Sequence, residues 1–372
     1  MKTNFVKLRW LFTMLLFVTT MIMPTMMLAK SINLKIPEGD GAGTPYKIGT
    51  AEELYWFAGL VNGTLPGVKK DLSANAILTD DIIVNTGVLD PNKDLVSGND
   101  FIEWIPIGKS SSDDDAYTGT FDGNGHTISG LYFNKSNSWY VGLFGCIGAE
   151  GKISNVGVSD SYFQSSNCPY IGGVCGSNSG ELQNCSNSST VIGKENEYRI
   201  DGVCGYNYGG TIKSCYNTAS VSGQSSVGGV SGSLGSDVTN CYYLSGTVAD
   251  GKSGIGGQKD ENGKAEKMSL EQFKSGEVAW LLNGSKSVST EESTLAWYQK
   301  LDENADAYPV LKSTDHNMYI KHPSSLATGQ PVLVNMQTNQ KATSCLTTIR
   351  WQKRLMKERQ IFIARNALYA TM

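Results

Sequence analysis

Between residues 140 and 243, small apolar side chains recur against a background of Gly, Ser and Asn with a spacing too long for a helix and too regular for chance. Tyr140-Val141-Gly142-Leu143-Phe144-Gly145 aligns with Ile171-Gly172-Gly173-Val174-Cys175-Gly176, then with Ile200-Asp201-Gly202-Val203-Cys204-Gly205 and Val227-Gly228-Gly229-Val230-Ser231-Gly232. The central apolar residues Leu143, Val174, Val203 and Val230 are 31, 29 and 27 residues apart. A second column follows: Ile153 with Val156, Leu182 with Cys185, Ile212 with Cys215, and Val238 with Cys241. Asn155, Asn184, Ser214 and Asn240 stand just before its second members, and Val191, Val221 and Val248 make a weaker third column.

A period in this range marks a solenoid, propeller or array. Each unit holds only short strand-like runs punctuated by Gly, Ser and Asn, and no helical pattern. Propeller blades need about 40 residues and four strands, more than these units contain. The pattern therefore predicts an all-β fold, a parallel β-helix over 119–257 whose coils stack at about 4.8 Å, right-handed by the crossover rule. Val, Ile, Leu and Cys would line its narrow interior, with Gly and Asn at corners that need left-handed backbone. Cys185, Cys215 and Cys241 fall in one inward column and Cys175 and Cys204 in another. Val156 and Ser231 at equivalent places show that these sites want a small side chain, so buried free thiols are expected, with stacked disulfides as the alternative. A column of thiols lacks the convergence of a metal site, and no metal is expected.

The flanks read as caps. Thr50-Ala51-Glu52-Glu53 is a capping box that opens a helix over 51–62 and Gly63 closes it. Strand-like segments follow at 76–84 and 101–107, and 119–128 reads as strand, tight turn, strand. Residues 40–118 are thus a candidate N-terminal cap. Ser269 with Gln272 starts a second helix over 271–282, and 258–312 forms the C-terminal cap. Residues 313–372 read as a polar linker and a basic, poorly ordered tail; Arg350, Lys353, Arg354 and Lys357 would share one helical face, for which a marginal helix or untidy tail is the simpler reading and contact with a membrane or a partner the alternative.

Lys2, Lys7 and Arg9 precede an apolar run from Trp10 to Ala29, the layout of a secretory signal or, uncleaved, of an N-terminal anchor. Either engages the secretion machinery or the membrane and exports the rest, a compartment that permits disulfides. Of the 372 residues, 42 are Gly and only 18% are charged, which excludes a long-helix protein; the absence of a three-residue Gly period excludes collagen. A net charge of -4 gives no reason to expect nucleic acid.

The glycine-rich units resemble the GLUG repeat of bacterial surface proteins, carried by Gly142-Leu143-Phe144-Gly145 and the Gly-x-Ile-x-Asn-Val run at 151–156. The lead-in (Ala51-Glu52-Glu53-Leu54, Trp104-Ile105-Pro106-Ile107-Gly108, Phe121-Asp122-Gly123-Asn124-Gly125) and the tail (Trp280-Leu281-Leu282-Asn283-Gly284, Tyr308-Pro309-Val310-Leu311) extend the likeness to about 46–312. The resemblance implies an adhesin-like or cell-wall protein, extracellular or at the surface of a bacterium. It carries no function-defining residues that could be transferred one by one.

Catalytic signals are weak. A polysaccharide-cleaving β-helix needs paired carboxylates or a bound Ca²⁺, for which Asp113, Asp114, Asp115 and Asp122 are the candidates. The first three read more simply as a solvated loop, and Asp122 as a turn acceptor with His126 packed beside it. With His126, His316 and His322 alone there is no His-Glu-x-x-His pair, and neither a phosphate loop nor a Gly-x-Ser-x-Gly elbow occurs. No cofactor is implied. The sequence reading is a non-catalytic exported module binding a glycan or extracellular protein, with Tyr206, Tyr208, Tyr216, Tyr242 and Tyr243 as candidate contacts. A purely structural stalk and a carbohydrate-active enzyme are the alternatives.

Overall fold

The computed structural model describes residues 30, 32–110, 112, 114–167, 169–194, 199–224, 226–232, 237–258, 263–285, 295–301 and 305–311. The expected signal or anchor at 1–29, Asp113, and the tail at 313–372 lie outside them. From Asn33 onward the described chain is a parallel β-solenoid built on three sheets.

The first sheet stacks seven parallel strands: Tyr46–Ile48, Ala76–Leu78, Thr120–Asp122, Lys152–Ser154, Glu181–Gln183, Thr211–Lys213 and Asp237–Thr239. Its register places Phe121, Ile153, Leu182, Ile212 and Val238 in one inward column, all buried. The second sheet has Gly157–Ser166 and Ser186–Gly193 at its centre, with Phe133, Phe163, Val191 and Val221 in register. In the third, Val141, Ile171, Ile200 and Val227 form one column, and Phe144, Cys175, Cys204 and Ser231 another. The repeat thus becomes a set of side-chain stacks, each coil burying its apolar positions against those of its neighbours.

The coils begin before Gly119, because Tyr46–Ile48, Ala76–Leu78 and Ile82–Ile83 already pair into the same sheets. The expected strand at 76–84 is two strands in two sheets, and 101–107 contributes only isolated bridges at Glu103 and Ile107. Helix α1 (Ala51–Asn62) is present, with Thr50 accepting from the Glu53 amide and Gly63 closing it at φ 65°. Glu53 does not complete the capping box. Its carboxylate accepts from the Gly49 amide at 2.9 Å and pairs with Lys35 at 2.7 Å. Phe57 and Tyr55 of α1 meet Phe121 and Trp104 at 6.0 and 5.1 Å, so the helix supplies aromatic rings to the first coils.

At the other end the expected single helix is two, α2 (Leu270–Lys274) and α3 (Glu277–Leu282). Gly276, at φ 82°, breaks the helical path between them. The Ser269–Gln272 capping box is complete. Trp297–Tyr298 and Val310–Leu311 form a small antiparallel pair, and Phe273, Val278, Leu282 and Trp297 pack with Tyr216 and Tyr242 in one apolar cluster.

The expectation of glycine and asparagine at left-handed corners holds, but not for every repeat glycine. One column of corners is taken by Asn124, Asn155, Asn184, Ser214 and Asn240, all left-handed at φ between 51 and 55°, and Gly125, Gly130 and Gly209 turn at φ 88, 73 and 75°; Asn adopts this region more easily than most residues. The Asn side chains also link coils: Asn184 donates to Asn155 at 2.9 Å and Asn155 to Asp122 at 3.0 Å. The repeat glycines 173, 202 and 229 have no positive φ. A Cβ on them would lie 2.2, 2.2 and 2.3 Å from Cγ of Asn187, Asn217 and Tyr243 respectively. Glycine is there to make room for an interior side chain on the facing sheet. Asn187 and Asn217 are fully buried, joined at 3.0 Å, and each accepts the backbone amide two residues on at 3.1 Å, a satisfied interior ladder. Tyr243 occupies the next place in that register.

The six described cysteines, 146, 175, 185, 204, 215 and 241, are buried and unbridged. The Cys185 amide donates to Cys215 Sγ at 3.3 Å. Burial pushes the thiols of Cys146, Cys175, Cys215 and Cys241 well above the ordinary thiol range.

Candidate functional site

Among the features that the coil register builds is an aromatic track on the third sheet. Tyr140, Tyr170 and Arg199 stand at equivalent places on three successive coils. The Tyr140 and Tyr170 rings stack at 5.5 Å and 20°, and Tyr170 stacks on Tyr206 of the next coil at 4.9 Å and 16°. Tyr208 follows at 5.5 Å with its ring tilted by 43°. Arg199 lays its guanidinium over the Tyr206 ring, 4.3 Å from the centroid, and lies 5.9 Å from that of Tyr170.

Stacking decides what the track can offer. The inner rings cover one another's faces, which contributes about 0.5–1.5 kcal/mol per pair to the fold and leaves their edges outward. The large flat surfaces open to solvent are at the two ends, Trp139 and Tyr208, 65% and 66% exposed. Beside Tyr140 the track runs into a cleft of about 260 Å³ lined by Trp104, Phe133, Trp139, Lys109 and Lys135. Lys135 pairs there with Glu103 at 2.8 Å. This is a row of rigid aromatic groups with a guanidinium in its middle and ammonium groups at one end, a surface suited to binding.

The five candidate tyrosines divide. Tyr206 and Tyr208 belong to this track. Tyr216, Tyr242 and Tyr243 are corrected: they are 7%, 2% and 0% exposed and cannot form an outward ladder. Tyr216 donates its hydroxyl to the Pro309 carbonyl at 2.6 Å and packs on Trp297, and Tyr243 fills the interior. They sit where the inward columns and the C-terminal cap require apolar bulk.

Tyr140 escapes alignment with Tyr170 for a specific reason. Matching Leu143 with Val174 sets Tyr140 beside Ile171, whereas the structure pairs Tyr140 with Tyr170 and Val141 with Ile171. The offset changes by one residue between Val141 and Phe144, which pairs with Cys175. An alignment anchored on the apolar core therefore hides the aromatic column one strand earlier.

The acidic candidates are engaged locally. Asp115 pairs with Lys70 at 2.6 Å, which holds its carboxyl below the usual range, and the Asp114 carbonyl also accepts from Lys70. Asp122 accepts from the Asn124 amide at 2.8 Å and from Asn155, the turn role expected of it. His126 lies 3.4 Å from Asp81 through Nδ1, beside that turn. Among the described residues no group of three or more His, Cys, Asp or Glu could hold a metal.

Sequence reasoning also passed over Asp201. It stands in register between Gly172 and Gly228, fully buried, and neither carboxylate oxygen makes a hydrogen bond of good geometry. Burial pushes its carboxyl well above the ordinary range, with the Gly228 amide, Arg199 and Lys252 opposing the shift. A carboxylate in place of the repeat glycine was visible in the alignment as the departure Ile200-Asp201-Gly202.

No family model matches the chain. Halomucin of Haloquadratum walsbyi is 37% identical over 109 residues, 29% of this chain and 1% of its own length. The protein named "Putative Gly-rich membrane protein" of Evansella cellulosilytica is 33% identical over 84 residues, 22% of this chain and 9% of its own. The chain therefore spans a small fraction of these curated relatives. Among solved structures, the crystal structure titled as a putative immunoglobulin A1 protease from Bacteroides ovatus overlaps 75% of this chain and 95% of that one, at 17% identity and a TM-score of 0.41. Among the described residues no helix is long and apolar enough to cross a membrane.

Proposed function

We propose that this is an exported, non-catalytic module of a bacterial surface, of the GLUG-repeat kind, that binds an extended glycan along the track from Trp139 to Tyr208. The observation that carries the reading is the in-register placement of Tyr140, Tyr170 and Arg199, capped at both ends by exposed aromatic faces. A solenoid repeats its surface groups at about the strand spacing, so a ligand that runs along its axis must itself be a linear polymer with a short repeat. Sugar rings pack on aromatic faces such as Trp139 and Tyr208, while phenol edges offer hydrogen bonds between them. Rigid aromatic side chains lose little entropy on binding. The partial likeness to a halomucin and to a Gly-rich membrane protein fits a surface setting, and the positive charge beside the track fits binding better than carboxylate-driven hydrolysis.

The experiment is retention of the full chain on a panel of immobilised polysaccharides, with reducing-sugar release followed in parallel. Saturable binding that Trp139→Ala and Tyr208→Ala each weaken, without product release, is the expected outcome. Release of reducing sugar would replace the binding reading with an enzymatic one, and no retention on any polymer would favour a stalk.

A further inference from the structure

We infer that the glycan is anionic, and that Arg199 is the residue that reads its acidic group. The inference rests on the glycan-binding reading and deepens it. Three observations carry it. First, the Arg199 guanidinium lies over the Tyr206 ring, 4.3 Å from its centroid and 5.9 Å from that of Tyr170, so the side chain is anchored on the aromatic stack. A guanidinium held in this way is pre-organised for bidentate binding of a carboxylate or sulfate. Second, no described acidic side chain forms an ion pair with Arg199 among the salt bridges of the fold, which run Lys35–Glu53, Lys47–Glu38, Lys70–Asp115, Lys93–Asp160, Lys135–Glu103 and Lys152–Glu181. Asp201, two residues on, is fully buried, and burial drives that carboxyl toward the neutral form; Glu195 and Glu197 lie outside the described residues. Third, the cleft that continues the track beyond Tyr140 is lined by Lys109 and Lys135 and, among the described residues, by no acidic side chain; Lys135 pairs with Glu103 beside it, and Lys109 donates to the Asn62 carbonyl at 2.7 Å and feels the Asp115 carboxylate.

The occupant is a linear polysaccharide with a recurring acidic unit: one acidic group at Arg199, and another drawn to the lysines of the cleft. Neutral segments between them would lie along Tyr140 and Tyr170. A uronate and a sulfated sugar both present the planar or tripodal oxyanion that a guanidinium accepts, and the test separates them.

The full chain is titrated with polygalacturonate, with dextran sulfate and with the neutral polymer laminarin. The carboxylated or sulfated polymer binds at least about tenfold more tightly than the neutral one, the size expected of one charge-assisted fork. That preference shrinks as salt is raised from about 50 to about 300 mM, because exposed charges are screened. Arg199→Gln removes most of the preference, read as the ratio of anionic to neutral affinity in the same variant; Arg199→Lys, which keeps the charge and the stem over Tyr206, restores only part of that ratio. Salt dependence in the unaltered chain supplies the same readout if the variants fold poorly. Equal affinity for laminarin and both anionic polymers, or a preference that Arg199→Gln leaves intact, overturns this inference and spares the glycan reading. Failure to bind any of the three overturns both. Preference for dextran sulfate over polygalacturonate assigns the acidic group as sulfate, and the reverse assigns it as uronate.

Discussion

Asn187 occupies the space that a side chain on Gly173 would need: a Cβ built on the glycine falls 2.2 Å from Asn187 Cγ. The same relationship joins Gly202 to Asn217 one coil on, and Gly229 to Tyr243 after that. The Gly-rich core of the repeat and the polar column on the facing sheet are two halves of one packing device.

Gly173→Ala is accordingly expected to destabilise the solenoid by about 2–3 kcal/mol, the range of overpacked cores. Gly43→Ala is the control, because its Cβ would meet nothing closer than 3.7 Å and its φ is not left-handed; a change within about 0.5 kcal/mol is expected there. Urea unfolding of the two variants separates the steric account from a general need for glycine flexibility, which would penalise both alike.

Asp201 makes stability depend on pH in a direction opposite to that of a paired carboxylate. Below about pH 4, folded and unfolded chains both hold the proton and the residue is silent. As pH rises, the unfolded carboxyl ionises first, since burial raises the folded one. The folded state then loses about 1.4 kcal/mol per pH unit until its own carboxyl ionises. Asp201→Asn, which cannot ionise, should match the parent at low pH and exceed it increasingly toward neutrality. Urea midpoints measured across the pH range check this, and a gap that stays constant with pH would refute it.

The column thiols should be chemically quiet. Cys175, Cys215 and Cys241 are fully buried and their thiols are shifted up, so little thiolate exists at about pH 8. Peptide-level mass spectrometry after iodoacetamide is expected to find these three unmodified in the folded chain and labelled after denaturation. Labelling of the folded chain, or disulfide-linked peptides among them, would contradict the packing described here.

Tyr216 tests the division of the tyrosines. Tyr216→Phe loses the bond to the Pro309 carbonyl and should cost about 1 kcal/mol. Trp297→Ala opens the C-terminal cluster and should cost about 3–5 kcal/mol. Neither should alter polysaccharide affinity at a temperature where the variant stays folded, whereas Tyr208→Ala should alter affinity with little effect on the thermal midpoint. A Tyr216→Phe variant that folds normally and fails to bind would restore that residue to the binding surface.

The sequence alone was enough to establish the parallel solenoid, its inward columns of Val, Ile, Leu and Cys, the Asn corners, helix α1 and the turn role of Asp122. Stacking makes these legible, because a side chain that packs on its own counterpart one coil away must recur at the coil period. The aromatic track proposed to bind and the reason for the glycines depended on three dimensions. Outward positions are not held to the core's spacing, so a one-residue change between Val141 and Phe144 disguised the Tyr140–Tyr170 match, while Arg199 keeps the core's spacing from Tyr170 and differs from it in residue type. Burial of Tyr216, Tyr242 and Tyr243 follows from where the C-terminal cap lands and from which glycines face them across the interior, contacts between residues that no local pattern links.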